Sequence, residues 1–113
     1  MTKLILCLFT IDNKDALDYI LSRSNITLSL PYLENDVSLT IKENIKNLVD
    51  SCVRADVDWL KLKVFEIRNV GQDTEILYFG RIPYEYKYMV KNAYFVRPSI
   101  TEDETILKMK YFI

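Results

Sequence analysis

Alternation of apolar and polar residues predicts β-strands in the first part of the chain. Lys3–Ile11 is almost continuously apolar, which is typical of a central strand that is buried on both faces. After a cluster of turn-forming residues at 12–15, Ala16–Arg23 fits either a strand or a helix, and the short connection favours a hairpin partner. Ile26–Leu30 alternates again and runs into Pro31, so it is predicted as a third strand.

The second half of the chain predicts a β-hairpin followed by an aromatic segment. Trp59–Arg68 has the clearest strand pattern, and the phase of its alternation shifts near Phe65. Gly71 marks the turn, because glycine adopts positive φ without steric cost, and Thr74–Ile82 is predicted as the returning strand. Tyr84–Val96 is rich in aromatic and basic residues and is interpreted as a further strand with irregular ends.

A helical pattern over Thr40–Val53 separates these two groups of strands. Its apolar residues recur at intervals that place them on one buried stripe: Ile41, Ile45, Leu48, Val49 and Cys52. At the start, Thr40 and Glu43 fit a capping box, in which the hydroxyl and the carboxylate each accept a hydrogen bond from a backbone N–H. The segment is therefore predicted to be an amphipathic helix whose apolar stripe packs on the sheet.

The end of the chain is open to two interpretations. Thr101 and Glu104 offer a second capping box, which would begin a helix extending through Met109. Residues 105–113 also alternate as a strand would. Together the elements predict an α/β (α+β) domain, a mixed β-sheet with packed helices. The 113 residues are enough for one such domain spanning 1–113.

Composition limits the classes of function. The formal net charge of −1 gives no electrostatic footprint for nucleic acid or an anionic membrane surface. The chain has no histidine, so it lacks the usual general base at neutral pH and the commonest metal ligand. Catalytic triads and zinc sites that depend on histidine are therefore excluded within this chain.

The cysteines and the N-terminal segment indicate in which cellular compartment the protein is expected. Cys7 and Cys52 lie far apart in apolar runs, which predicts buried thiols in a reducing compartment rather than a disulfide. The N-terminal apolar run ends at Asp12 without a small-residue cleavage site, so a buried strand is favoured over a signal peptide. No stretch approaches the roughly 20 apolar residues of a membrane-spanning helix. We expect an intracellular protein with no membrane association.

The order of the predicted elements and the spacing after Leu30 and Pro31 resemble those of the Nudix hydrolase family. That family carries the box G-x5-E-x7-R-E-U-x-E-E-x-G-U, with U aliphatic, after a Leu-Pro pair that ends a strand. Aligning the two Leu-Pro pairs requires no gap and puts Leu48 on the aliphatic position. Other residues then stand where the family has glycine, glutamate or arginine: Tyr32, Ser38, Lys46, Asn47, Asp50, Ser51 and Val53.

The resemblance implies a metal site whose ligands are mostly replaced here. In the family the glutamates hold Mg²⁺ or Mn²⁺, hard ions that need several oxygen ligands and help to generate an attacking hydroxide. Among these positions only Asp50 keeps a carboxylate. Glu43, Asn47 and Asp50 share a helix face, so Glu43 and Asp50 are the candidates for a residual metal site. Glu43 also belongs to the capping box, however, and Asp50 is placed to form a surface ion pair with Lys46.

The segment around Tyr84 has the most unusual local composition. Tyr84, Tyr86 and Tyr88 alternate with Glu85 and Lys87, so in an extended strand the three rings would share one face. Such rings can pack in a core, contact a protein partner or stack on nucleic-acid bases. Tyrosine is enriched at protein interfaces, because its ring is large and its hydroxyl tolerates water. We interpret the three tyrosines as a candidate protein interface.

Three functional hypotheses remain. The favoured one is a non-catalytic Nudix-like domain, without a cofactor, that serves as a protein-interaction or structural subunit or associates with itself. Tyr32 and Leu33 support it, because they are expected to project bulky side chains into the place of a diphosphate. The second hypothesis is a Mg²⁺- or Mn²⁺-dependent hydrolase of nucleoside diphosphate linkages that uses Glu43 and Asp50. The third is a nucleotide- or RNA-binding module, which the net charge does not favour.

Overall fold

Strand β1 lies within a six-stranded mixed sheet in the computed structural model, which describes residues 1–15, 17–54, 62–98 and 104–109. The elements are β1 (Thr2–Asp12), β2 (Leu17–Ser22), β3 (Tyr32–Glu34), α1 (Ile41–Asp50), β4 (Lys63–Val70), β5 (Asp73–Arg81), a 3₁₀ helix (Tyr84–Tyr86), β6 (Tyr94–Val96) and α2 (Glu104–Met109). The predicted α/β (α+β) class, a mixed sheet with helices, is confirmed.

The order of the strands makes β1 the central element. The order is β4-β5-β1-β2-β6, and β3 also pairs with β1. β1 runs parallel to β5 from Thr2 to Phe9 and antiparallel to β2 and β3. β3 pairs with the first half of β1 and β2 with its last four residues, so two short strands share one edge. Partners on both edges satisfy the backbone of β1, which allows an almost continuously apolar sequence there.

The side chains of β1 alternate between two hydrophobic cores, one on each face of the sheet. The core on the α1 side contains Leu4, Leu6, Leu8, Leu21, Leu48, Val49, Cys52, Val53, Tyr78, Ile82 and Ala93. The core on the α2 side contains Ile5, Cys7, Phe9, Ile20, Leu77, Ile106 and Met109. The sheet is therefore covered by one helix on each face.

The predicted hairpins are confirmed. β2 pairs antiparallel with β1, so the strand interpretation of 16–23 holds for Leu17–Ser22. In the β4–β5 hairpin, Gly71 adopts a φ of 63°, as its position in the turn requires. A bulge between Val64 and Glu66 accounts for the shifted alternation in this strand, because a bulge puts two residues opposite one.

Both predicted helices are present. α1 begins after Thr40, whose capping box is complete. Residues 104–109 form the helix α2, not a strand. The second capping threonine, Thr101, the start of the predicted strand at Trp59 and the tail at 110–113 lie outside the described residues.

The strand prediction for Ile26–Leu30 is wrong. The Ser22 hydroxyl donates a hydrogen bond to the carbonyl of Ser24 at 2.7 Å and accepts one from the N–H of Ser29 at 3.0 Å. These bonds close the segment into a loop, because side-chain hydroxyls compete with ladder hydrogen bonds for backbone groups. The third strand begins only at Tyr32, after the proline.

Two further predictions need correction. Tyr84–Val96 is mostly a 3₁₀ helix and turns, and only its last three residues form a strand. Ile41 does not belong to the buried stripe of α1, since its side chain is 51% exposed. The buried residues of this helix are Asn44, Leu48 and Val49, so a polar side chain occupies a position where the pattern predicted none.

The cysteines are buried, as their apolar surroundings predicted. Cys7 and Cys52 are both buried, and no disulfide joins them. Burial raises the pKa of the Cys52 thiol, which disfavours the reactive thiolate at neutral pH. Within the described ranges, no helix is long and apolar enough to cross a membrane.

Candidate functional site

The carboxylate in the first turn of α1, that of Glu43, takes part in the helix cap. The Thr40 hydroxyl accepts a hydrogen bond from the N–H of Glu43, and a Glu43 carboxylate oxygen accepts one from the N–H of Thr40, both at 3.1 Å. Hydrogen bonding to the carboxylate, first from the backbone N–H of Thr40 and then from its side chain, holds the pKa of Glu43 below its usual value. The carboxylate therefore stays ionised at neutral pH and is already engaged with the helix terminus.

The loop before α1 is fixed by two side chains. Asp36 accepts hydrogen bonds from the Ser38 hydroxyl at 2.6 Å and the Ser38 N–H at 2.9 Å, which lower the pKa of Asp36. Asn44, 1% exposed, accepts from the N–H of Asp36 at 2.8 Å and donates to the carbonyls of Asp36 and Thr40. No periodic pattern marks this asparagine, which docks the loop on the helix.

Three of the aligned box positions lie together on the solvent face of α1. Lys46, Asn47 and Asp50 are all exposed. The described ion pairs do not include the predicted pair between Lys46 and Asp50, so that prediction is wrong. Asp50 supplies the single carboxylate among the aligned positions.

Two further aligned positions, Ser51 and Val53, make contacts within the fold. Ser51 ends the helix, where its hydroxyl donates to the carbonyl of Leu48 at 2.6 Å and accepts from the guanidinium of Arg23 at 3.0 Å. Val53 is buried and forms an isolated β-bridge with Val90. Ser51 thus caps the helix end, and Val53 belongs to the core.

The two candidate metal ligands are far apart. Glu43 and Asp50 lie seven positions apart on α1, which corresponds to about 10 Å along a helix axis. The Glu43 carboxylate is held on the N–H of Thr40, at the end of the helix away from Asp50, so the two carboxylates are not gathered around one position. Across the residues that the structure describes, no group of three or more acidic, cysteine or histidine side chains is placed to hold a metal ion.

Tyr32 and Leu33 project from opposite faces of the sheet. Tyr32 pairs with Ile5 of the α2 side, and Leu33 pairs with Leu4 of the α1 side. The Tyr32 ring is about half exposed and lies 5.1 Å below the ammonium group of Lys3, whereas Leu33 packs against the α1-side core. The prediction that both side chains project into one place is therefore wrong.

An open cavity of about 270 Å³ lies beside Tyr32 on the α2 side of the sheet. Its lining residues come from β1, β3, β4, β5, α2 and the loop after β2: Lys3, Ile5, Leu28, Leu30, Tyr32, Arg68, Glu75 and Ile106. Arg68 and Glu75 form an ion pair at 2.8 Å on one wall, and the amine of Lys3 covers another. Apolar walls with a few charged groups can hold a small ligand. Sequence reasoning missed this cavity, because its residues follow no local motif.

The candidate interface tyrosines do not share one face. Tyr84 and Tyr86 lie in the 3₁₀ helix that follows Pro83, and Tyr88 lies in the next turn. Tyr86 packs against the α1-side core, whereas Tyr88 is 79% exposed. The alternation of tyrosines with charged residues predicted a strand. Instead, Pro83 precedes a 3₁₀ helix and a turn, in which alternate residues do not share one face.

Tyr84 belongs to a row of stacked aromatic and cationic side chains. Its ring lies 6.0 Å from that of Tyr19, and the amine of Lys87 lies 4.2 Å from its centre and 4.9 Å from that of Tyr88. The guanidinium of Arg97 lies 5.8 Å from the centre of the Tyr19 ring. A hydrogen bond to the Tyr84 hydroxyl raises the pKa of Lys87. This row, here called the tyrosine surface, is ordered by cation–π contacts and ends in the exposed Tyr88 ring.

The arrangement of a mixed sheet between two helices, with α1 after a Leu-Pro pair, is a Nudix-like fold. A crystal structure of a MutT/Nudix family protein from Listeria innocua is similar to this chain, with a TM-score of 0.67 and 12% sequence identity. The similarity covers 98% of this chain and 90% of that protein. No family model matches the sequence. No curated protein matches it. The likeness is therefore one of fold.

Proposed function

We propose that this Nudix-like domain does not hydrolyse diphosphate linkages and acts by binding another protein. The observation that supports the proposal most is the position of the two carboxylates on helix α1, Glu43 and Asp50. Its two carboxylates are separated by two turns, and Glu43 is engaged in the capping box. A diphosphate hydrolase of this fold would need several oxygen ligands close together to hold its metal ion.

Hydrolysis by this protein is expected to stay at background in the presence of Mg²⁺ or Mn²⁺. Dinucleoside polyphosphates, nucleotide sugars and capped RNA form a suitable panel, with release of phosphate-containing products as the measurement. Asp50→Ala is the matched variant, because Asp50 is exposed and is the one carboxylate among the aligned positions. Turnover that disappears in Asp50→Ala, with the fold intact, would overturn the non-catalytic proposal.

The tyrosine surface is the proposed contact for a protein partner. Tyr88 presents a large exposed ring beside Lys87, and tyrosine is enriched among the residues that dominate interface energies. The cation–π contacts fix the row before binding, which lowers the entropy lost on association. Tyr86 supports this surface from the core side rather than contacting the partner.

Replacement of Tyr88 by serine is expected to weaken partner binding at least tenfold, the size of effect seen for a buried aromatic anchor. The unfolding midpoint should stay nearly unchanged, because Tyr88 is exposed. Tyr86→Ser should instead lower the midpoint, because Tyr86 packs on the core. Tyr94→Ser, an exposed tyrosine on β6, is the control. Co-purification identifies the partner, and calorimetric titration compares the variants. Equal affinity of Tyr88→Ser and the parent protein would contradict the proposal.

A second candidate function is binding of a nucleotide without hydrolysis. The cavity beside Tyr32 favours it, since an exposed aromatic ring, an apolar floor and the Lys3 amine suit a base and a phosphate. The tyrosine surface favours it less, because the Tyr84 ring already has close neighbours in Tyr19 and Lys87. Nucleotide binding that is lost in Lys3→Ala, without turnover, would select this second function.

A further inference from the structure

No further inference is drawn: the strongest candidate, the cavity at the carboxyl ends of the parallel strands β1 and β5, is lined by charges of both signs from Asp12, Lys14, Arg81 and Glu85, and nothing in the structure shows which ligand or partner it would hold.

Discussion

Truncation of Leu48 to alanine is expected to lower the free energy of unfolding by about 2–5 kcal/mol. Leu48 has no exposed surface and lies in the core between α1 and the sheet, among Leu4, Leu6 and Leu8. The shortened side chain would leave a cavity in this core, and the lost contacts add to the lost hydrophobic burial. Equilibrium unfolding in denaturant, followed by circular dichroism, measures the change.

Ile41→Ala is the matched control on the same helix. Ile41 belonged to the same predicted stripe but is half exposed, so its truncation should change the free energy of unfolding by about 0.5 kcal/mol or less. A loss below about 0.5 kcal/mol for Leu48→Ala would mean that α1 does not pack on the sheet through this face.

Replacement of Asn44 by alanine is expected to cost about 1–3 kcal/mol. The buried Asn44 amide makes three hydrogen bonds to the backbone of Asp36 and Thr40, and alanine would leave these groups without that partner. The loop that carries Ser38 should then detach from α1. Faster amide hydrogen exchange at 36–39 would report this detachment alongside the loss of stability.

Asn47→Ala provides the comparison for this second variant. Asn47 stands on the exposed face of the same helix, so its truncation should stay within about 0.5 kcal/mol of the parent protein. Equal destabilisation by Asn44→Ala and Asn47→Ala would show that the amide contacts of Asn44 contribute nothing specific.

Most of the fold could be predicted from local patterns. The apolar run of β1, the glycine turn of the β4–β5 hairpin and the capping box of α1 each follow from interactions within a few residues. Ile26–Leu30 could not be assigned in this way, because hydrogen bonds to the Ser22 hydroxyl override its alternation. The prediction for Tyr84–Tyr88 failed for a similar reason. The residues alternate as in a strand, but after Pro83 they form a 3₁₀ helix and a turn.

The candidate site was less accessible to sequence reasoning than the fold. The box positions were located by spacing, and the exposure of Asp50 agrees with a helix surface. The residues that line the cavity beside Tyr32 come from four strands, a helix and a loop that are distant in sequence. No short sequence motif could therefore predict it. The place of β4 at the end of the strand order is likewise not specified by local periodicity.

The parallel pairing of β1 with β5 has a consequence for how the chain reaches its native state. The paired residues, such as Thr2 with Thr74, lie far apart in sequence, so a long loop must close before the central ladder forms. Proteins with many such distant contacts fold slowly. During synthesis, β1 leaves the ribosome long before β5 and has only β2 and β3 as nearby partners. The backbone edge of β1 that pairs with β5 therefore stays open to association with other chains until most of the polypeptide has been made.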